Sequence, residues 1–455
     1  MRPARAPLKW DSDLYGKLIR LALPIVAANL LQTMYNLADT FFLGKLGKEA
    51  VSAPSIALNI FSFLIVFGFG FASAGTTLIA QSIGKRDREK ADFYLGQMTT
   101  LMTVTSLVIA AAGILLSPLL IRILLVPEEA RLYTWQYMTI IFAGLPFMFM
   151  AFILQGSLQG IGDSLTPLLV QGCAVILNIV LDPLLVFGAG PIPAMEVKGA
   201  AFATVFAQFT ASIASLLILV KGKRGIRLSR RNLRPRPEAY RLLLSIGLPS
   251  SIGQGVSALG FTVLQGIVNG FGTAVVAAFG IGNRIIGLFN LPAQGLASAN
   301  AVLVGQKLGA KEPEKAKTVV MMSMVTITVF ISLGMVYTFF RGSGLVRFFV
   351  NDPEVIGHGA RLFRLFSPSV VFFAIFTVIT GAFQGGGDTK PVMILSIARL
   401  WLLRVPLAVL LSRTAGMGAE GIWAAMFISN TVIAAAGFLF LSTGRWLRRL
   451  DPDTI

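Results

Sequence analysis

The chain has 455 residues, 55% of them hydrophobic and only 13% charged, with a net charge of +18. Soluble domains carry about 25% charged residues, so this composition excludes an ordinary soluble fold and reads as an integral membrane protein. Its apolar runs are long and not ~10-residue alternating segments, which favours helices over an outer-membrane barrel. Cys173 and His358 are the single cysteine and histidine, so an intrachain disulfide and a Cys- or His-cluster metal site are excluded. The positive charge is explained by basic loops facing anionic lipid, with no need for a nucleic-acid partner.

The N-terminal arm, MRPARAPLKWDSDLYGKL, is basic and polar, and the span after it has no small-residue cleavage site. It is expected to lead into a retained span and not to be a removed signal peptide. Apolar spans follow at 21–43, 53–82, 94–118, 132–158, 165–188, 199–221, 242–268, 275–304, 317–340, 361–383, 391–412 and 420–442. This predicts twelve transmembrane helices in an all-α integral membrane fold.

The first span, LALPIVAANLLQTMYNLADTFFL, is unusual in carrying Gln32, Asn36 and Asp39 on one helical face, with Tyr35 beside them. A carboxylate on an apolar span costs about 2.5–3.5 kcal/mol on insertion scales and is expected to face a protein interior or a wet cavity. A helix-end position near the loop at Gly44 is the alternative. Pro24 is expected to kink this span and act as a hinge.

Basic residues cluster in the arm, after span two (Lys85, Arg86, Arg88, Lys90), between 221 and 241, after span eight (Lys307, Lys311, Lys315, Lys317) and in the tail (Arg445, Arg448, Arg449). All fall on one side if the spans alternate, whereas the opposite loops hold Glu49, Glu128, Glu129, Asp352 and Glu354. The positive-inside rule places both termini in the cytoplasm of a multi-pass plasma-membrane protein.

The chain also repeats. QSIGKRDREKA at Gln81 recurs as QKLGAKEPEKA at Gln306, GSLQGIGDSLTP at Gly156 as GAFQGGGDTKP at Gly381, and Pro24 as Pro249, all at an offset of 225 residues. Six spans per copy is even, so the expected plan is two six-helix lobes, 1–221 and 241–455, related by a pseudo-two-fold axis along the membrane normal. The basic stretch 222–240 is the linker, expected to be a solvated loop. The Gln-x-x-Gly blocks are expected to end a helix on glycine, and Asp163 and Asp388 to form turns or N-caps.

Away from the span ends the charged residues of the spans are Asp39, Asp182, Arg284, Arg399 and Arg404. The counterparts of the acids, near Leu264 and Val405, are not acidic, so the fold is doubled and the acid chemistry is not. Asp182 follows Asn178 by one turn, and Pro183 breaks the hydrogen-bond ladder there. Thr204 and Gln208 lie one turn apart on the next span, and span four offers Tyr137 and Gln155. Two acids sharing a poorly solvated site cannot both ionise cheaply, so a proton can bind and leave. The same oxygens at Asp39, Asn178, Asp182 and Thr204 equally suit Na⁺. Asp182 neutralised by an interhelical pair is the structural alternative, and the three arginines are expected to snorkel or pair between lobes.

Taken together, LALPIVAANLLQTMYNLADTFFLGKLG, the two Gln-x-x-Gly loops, the two Gln-Gly-x-Gly-Asp turns and LDPLLVFG resemble the multidrug and toxic compound extrusion (MATE) transporters across essentially the whole chain. The resemblance is closest to the DinF-like branch, whose acids in the first and fifth helices are matched by Asp39 and Asp182-Pro183. Its polar cluster is matched by Asn178, Tyr137 and Thr204, and its cavity-facing positions by Gln32, Tyr35 and Gln155, with Asn36 on the same face. The NorM-like branch carries C-lobe acids in helices seven and ten, and 242–268 and 361–383 hold none.

The resemblance implies a V-shaped pair of lobes around a central cavity and alternating access. It implies efflux of small amphipathic organic cations, driven by inward H⁺ or Na⁺, without a cofactor and with the monomer as the working unit. The competing reading is a flippase for lipid-linked saccharides or other lipids of the wider superfamily. No HExxH or Gly-x-Ser-x-Gly motif supports an enzyme.

Overall fold

The computed structural model describes residues 10–450 except 47, 125, 189, 192, 448 and 449. Arg2, Arg5 and Lys9 of the basic arm, and Arg448 and Arg449 of the tail, lie outside the described residues. Among the described residues every regular element is helical. Twelve helices among the described residues are long and apolar enough to cross a membrane. They are α1 (Ser12–Gly44), α2 (Lys48–Gly84), α3 (Arg88–Ile123), α4 (Glu128–Ile161), α5 (Leu165–Val186), α6 (Glu196–Lys221), α7 (Pro237–Asn269), α8 (Thr273–Gly309), α9 (Pro313–Arg347), α10 (Pro353–Gly386), α11 (Lys390–Thr414) and α12 (Ala419–Ser442). Each predicted apolar span is contained in one of these helices or overlaps it almost fully. The helices mostly run longer because hydropathy marks only the lipid-length stretch and misses polar end turns such as Arg88–Lys90.

The chain separates into two compact units, Ala27–Leu248 and Met1–Val26 with Pro249–Ile455. The division therefore falls inside α1 and α7, at Val26 and at Pro249, and not in the 222–240 linker. The reason is local packing. In the C-terminal unit Gly295 of α8 passes Val26 and the Ala22 carbonyl so closely that a Cβ there would lie 2.4 Å from Val26 Cγ2. The second half of α1 instead bonds to α6, through Tyr35 and Thr204.

Within each unit one tight helix crossing is built from repeated glycines. In the N-terminal unit a Cβ on Gly156 of α4 would come 2.8 Å from the Ala72 carbonyl oxygen of α2. In the C-terminal unit a Cβ on Gly381 of α10 would come 2.4 Å from the Ala297 carbonyl oxygen of α8. Gly160 against Thr76 and Gly385 against Ala301 extend the pair of crossings one turn further. Small residues here let two backbones approach, which is how helices associate where water supplies no hydrophobic drive.

The repeated loops behave mostly as expected. Gly162 and Gly387 end α4 and α10 in the left-handed conformation. Asp163 accepts the Thr166 N–H at 3.0 Å and the Thr166 hydroxyl at 2.6 Å, capping α5. The Gln-x-x-Gly blocks differ in one respect. α2 and α8 do stop at Gly84 and Gly309, yet the left-handed residues are Arg86 and Lys311, at φ 61° and 62°. The turn extends two residues past the glycine, and the sixth-to-first backbone bond that closes it runs from Asp87 to Ser82 and from Glu312 to Lys307. Glu312 also takes Lys307 at 2.9 Å and Lys315 at 2.8 Å, and these ammonium groups hold its carboxyl down at about 2.

The basic side chains of the linker are exposed, in keeping with a solvated loop, but its backbone is anchored to α3. Buried Gln97 of α3 donates through Nε2 to the Asn232 and Arg234 carbonyls, both at 2.8 Å, and accepts the Arg236 N–H through Oε1 at 2.8 Å. Thr100 donates to the Leu233 carbonyl, and the Arg227 N–H donates to Asp92. One side chain thus satisfies three linker backbone groups, while the basic side chains stay in solvent. Gln97→Ala leaves those groups unpaired at a cost of about 1–3 kcal/mol. It is expected to raise the rate of trypsin cleavage between Lys223 and Arg241 by about tenfold or more, with unchanged cleavage elsewhere.

Candidate functional site

The acids of the first and fifth helices meet inside the N-terminal unit. Asp182 and Asn178 lie on one face of α5 and are both fully buried. Asn178 Nδ2 donates to Asp182 Oδ1 at 3.3 Å. The carboxyl groups of Asp39 and Asp182 lie within hydrogen-bonding reach of each other. No lysine or arginine is near enough to act on either one, among the described residues. Asp39 Oδ1, Asn178 Oδ1 and Asp182 Oδ2 are buried and lack an ordinary donor. Two carboxylates in this geometry repel, and a single proton on one of them supplies the missing hydrogen bond. Pro183 has no N–H, so the Ile179 carbonyl loses its usual helical donor beside the pair.

Two tyrosines line the same site. Tyr35 lies one turn before Asp39 on α1 and donates through Oη to Thr204 Oγ1 of α6 at 2.8 Å. Tyr137 of α4 is buried, within electrostatic range of Asp39, Asp182 and Tyr35. Asp39, Asp182, Asn178, Tyr35, Tyr137 and Thr204 therefore form one constellation from α1, α4, α5 and α6. Thr204 touches it through Tyr35, which the sequence had grouped with the cavity-facing residues.

Gln32 and Asn36 form a separate, more exposed polar string on α1. Gln32 Nε2 donates to Asn36 Oδ1 at 3.4 Å, and Gln171 Nε2 of α5 donates to Gln32 Oε1 at 3.1 Å. Gln171 escaped the sequence reading, although it precedes Asn178 and Asp182 by 7 and 11 residues and so shares their helical face. Gln155 is half-buried on α4 and makes no hydrogen bond to this string or to the acid pair among the described residues.

The intramembrane arginines divide. Arg284 is exposed on α8, as a snorkelling side chain would be. Arg404 and Arg399 are 2% and 9% exposed and sit in the interior of α11, so neither snorkels.

A duplicated helical fold, with twelve helices among the described residues long and apolar enough to cross a membrane, is the plan of a multi-pass membrane protein. The MatE family model matches the chain twice, over residues 24–184 and 249–410, and the two matches begin at Pro24 and Pro249. The chain belongs to the MATE family of multidrug efflux transporters. It is 30% identical over 441 residues to a probable multidrug resistance protein, NorM, of Thermotoga maritima, covering 96% of this chain and 94% of that protein. It superposes on an outward-facing multidrug resistance MATE transporter of the MOP superfamily with a TM-score of 0.88 and 25% identity, covering 95% of this chain and 96% of that one. A MOP superfamily transporter from Pyrococcus furiosus matches with a TM-score of 0.87 and 25% identity, over 95% and 96% of the chains. That protein's binding pocket is described as having reverse polarity that suggests a different function.

Proposed function

We propose that the protein is a secondary active antiporter that exports amphipathic organic cations in exchange for H⁺ by alternating access, with Asp39 and Asp182 as the coupling site. The observation that carries this reading is the carboxyl pair within hydrogen-bonding reach, with no cationic side chain among the described residues to neutralise it. Such a pair holds one negative charge when singly protonated and none when doubly protonated. Loading a proton removes the charge that retains a cation, so ion and drug favour different states, as coupling requires. Each charge moved across 100 mV contributes ~2.3 kcal/mol to the cycle.

Gln32, Tyr35, Asn36 and Gln155 are the residues proposed to meet substrate. Tyr35 carries any change at the acids to Thr204 and α6, and Pro24 is the proposed hinge of α1. The acids of α1 and α5, together with acid-free spans in α7 and α10, support the DinF-like branch. Basic residues in the α2–α3 loop, the linker and the α8–α9 loop support a cytoplasmic location for that side of the plasma membrane, and with it cytoplasmic termini.

The test is uptake of ethidium into inside-out vesicles under an imposed gradient. An acid lumen is expected to drive uptake, and a Na⁺ gradient at equal pH is not. Uptake driven by Na⁺ alone moves the same oxygens to a Na⁺ site and defeats the proton version. The absence of ethidium transport under either gradient defeats the antiporter reading.

A further inference from the structure

The C-terminal unit contains a second buried charged cluster, of opposite sign, which the coupling proposal does not use. Arg404 of α11 donates through Nε to Ser429 Oγ of α12 at 2.9 Å and through Nη2 to Asn430 Oδ1. Asn430 in turn donates to Ser369 Oγ of α10 at 3.2 Å. All these partners are neutral. Arg399 lies over the Phe373 ring, its guanidinium carbon 4.6 Å from the centroid, and its buried Nε has no hydrogen-bond partner. Arg399 and Arg404 lie within electrostatic range of each other, and no Asp or Glu acts on either, among the described residues.

Helix geometry brings the two arginines together. Pro406 cannot donate a backbone bond, and Ala398–Arg404 winds as a π-helical turn, with the Val405 N–H bonded to the Leu400 carbonyl. Residues five apart then lie roughly one above the other, whereas an α-helix would splay them. The location is also telling. Ser429 is the repeat counterpart of Thr204, and α11 and α12 are the counterparts of α5 and α6. The duplicated helix thus carries one acid of the pair, Asp182 of α5, in one unit and both arginines, on α11, in the other.

Two guanidinium groups buried near one another without a counter-ion are costly, and neutral hydroxyl and amide partners satisfy their donors without cancelling their charge. We propose that Arg399 and Arg404 form an anion-binding site inside the C-terminal unit whose ligand is an organic phosphate with an apolar body. Arginine matches the phosphate oxygens with paired N–H donors. Phe373, beneath Arg399, packs in an apolar cluster with Phe372, Phe376 and Leu395, which supplies the apolar wall. The site stands apart from the Asp39–Asp182 reading and does not depend on it.

The experiment measures binding to purified protein by titration calorimetry with three probes: dihexanoyl phosphatidic acid, phenyl phosphate and neutral dihexanoylglycerol. Wild type is expected to bind at least the first and not the third. Arg399→Gln removes the side chain with the free Nε and is expected to weaken phosphate binding by about tenfold or more. Asn430→Asp gives Arg404 an internal counter-ion, so it is expected to keep or raise the melting temperature while abolishing phosphate binding. Asp39→Asn is expected to bind phosphate as wild type does. Binding of both phosphates identifies a soluble organic phosphate as sufficient, and binding of phosphatidic acid alone identifies a lipid headgroup. If neither phosphate binds, or if Arg399→Gln and Asn430→Asp both bind as wild type does, the site is overturned.

Discussion

Asp39→Asn is expected to lower uptake of ethidium into acid-loaded inside-out vesicles by about 5–150-fold, the span of typical coupling free energies. Asparagine keeps the shape of the side chain but neither ionises nor carries the exchangeable proton. Asp182→Asn is expected to match it, because the two carboxyls share one hydrogen-bonding contact and either one alone leaves no pair. Asn178→Ala is expected to be milder, since it removes a single long bond to Asp182. A scaffolding role makes a different prediction. Removing a desolvated carboxyl relieves repulsion, so the melting temperature of Asp39→Asn should stay level or rise. A fall in melting temperature that parallels the lost transport would make Asp39 structural and overturn its coupling role.

Gly381→Val is expected to destabilise the protein by about 3 kcal/mol, the upper part of the usual range for overpacking a tight interior. The first added carbon alone would sit 2.4 Å from the Ala297 carbonyl oxygen, and that neighbour is backbone, which cannot rotate away. Gly156→Val meets the Ala72 carbonyl of the repeated crossing at 2.8 Å and is expected to cost somewhat less. Gly280→Val is the control, because nothing lies within 4 Å of a Cβ at that position of α8. Melting followed by size-exclusion chromatography of heated, detergent-purified samples reads all three. Equal melting temperatures for Gly381→Val and Gly280→Val would remove the crossing from the account of stability.

By itself, the sequence determined the helix count, the repeat and the identity of the buried acids. These are properties of local composition: lipid length sets the apolar span, and a carboxylate on such a span announces itself. It also determined the Asp163 cap, whose bonds reach only three residues along the chain. It did not determine contacts made across helices. The sequence grouped Asp39 with Asp182 by their chemistry and the family resemblance, but that Tyr35 bonds Thr204 169 residues away and that Gln171 bonds Gln32 depend on how helices pack. Linear spacing ranks faces of one helix and is silent on which faces meet.

The linker and the arginines show the same limit from the other side. A run of basic residues looks solvated because side chains dominate composition, yet Gln97 holds this segment through its backbone, which carries no sequence signal. Arg399 and Arg404 are five residues apart, a spacing that an α-helix separates and a π-helical turn brings together. Only the tertiary structure decided that Arg404 is buried beside Ser429 and Asn430 and Arg399 over Phe373, because burial is a property of the neighbours a side chain acquires and not of the side chain.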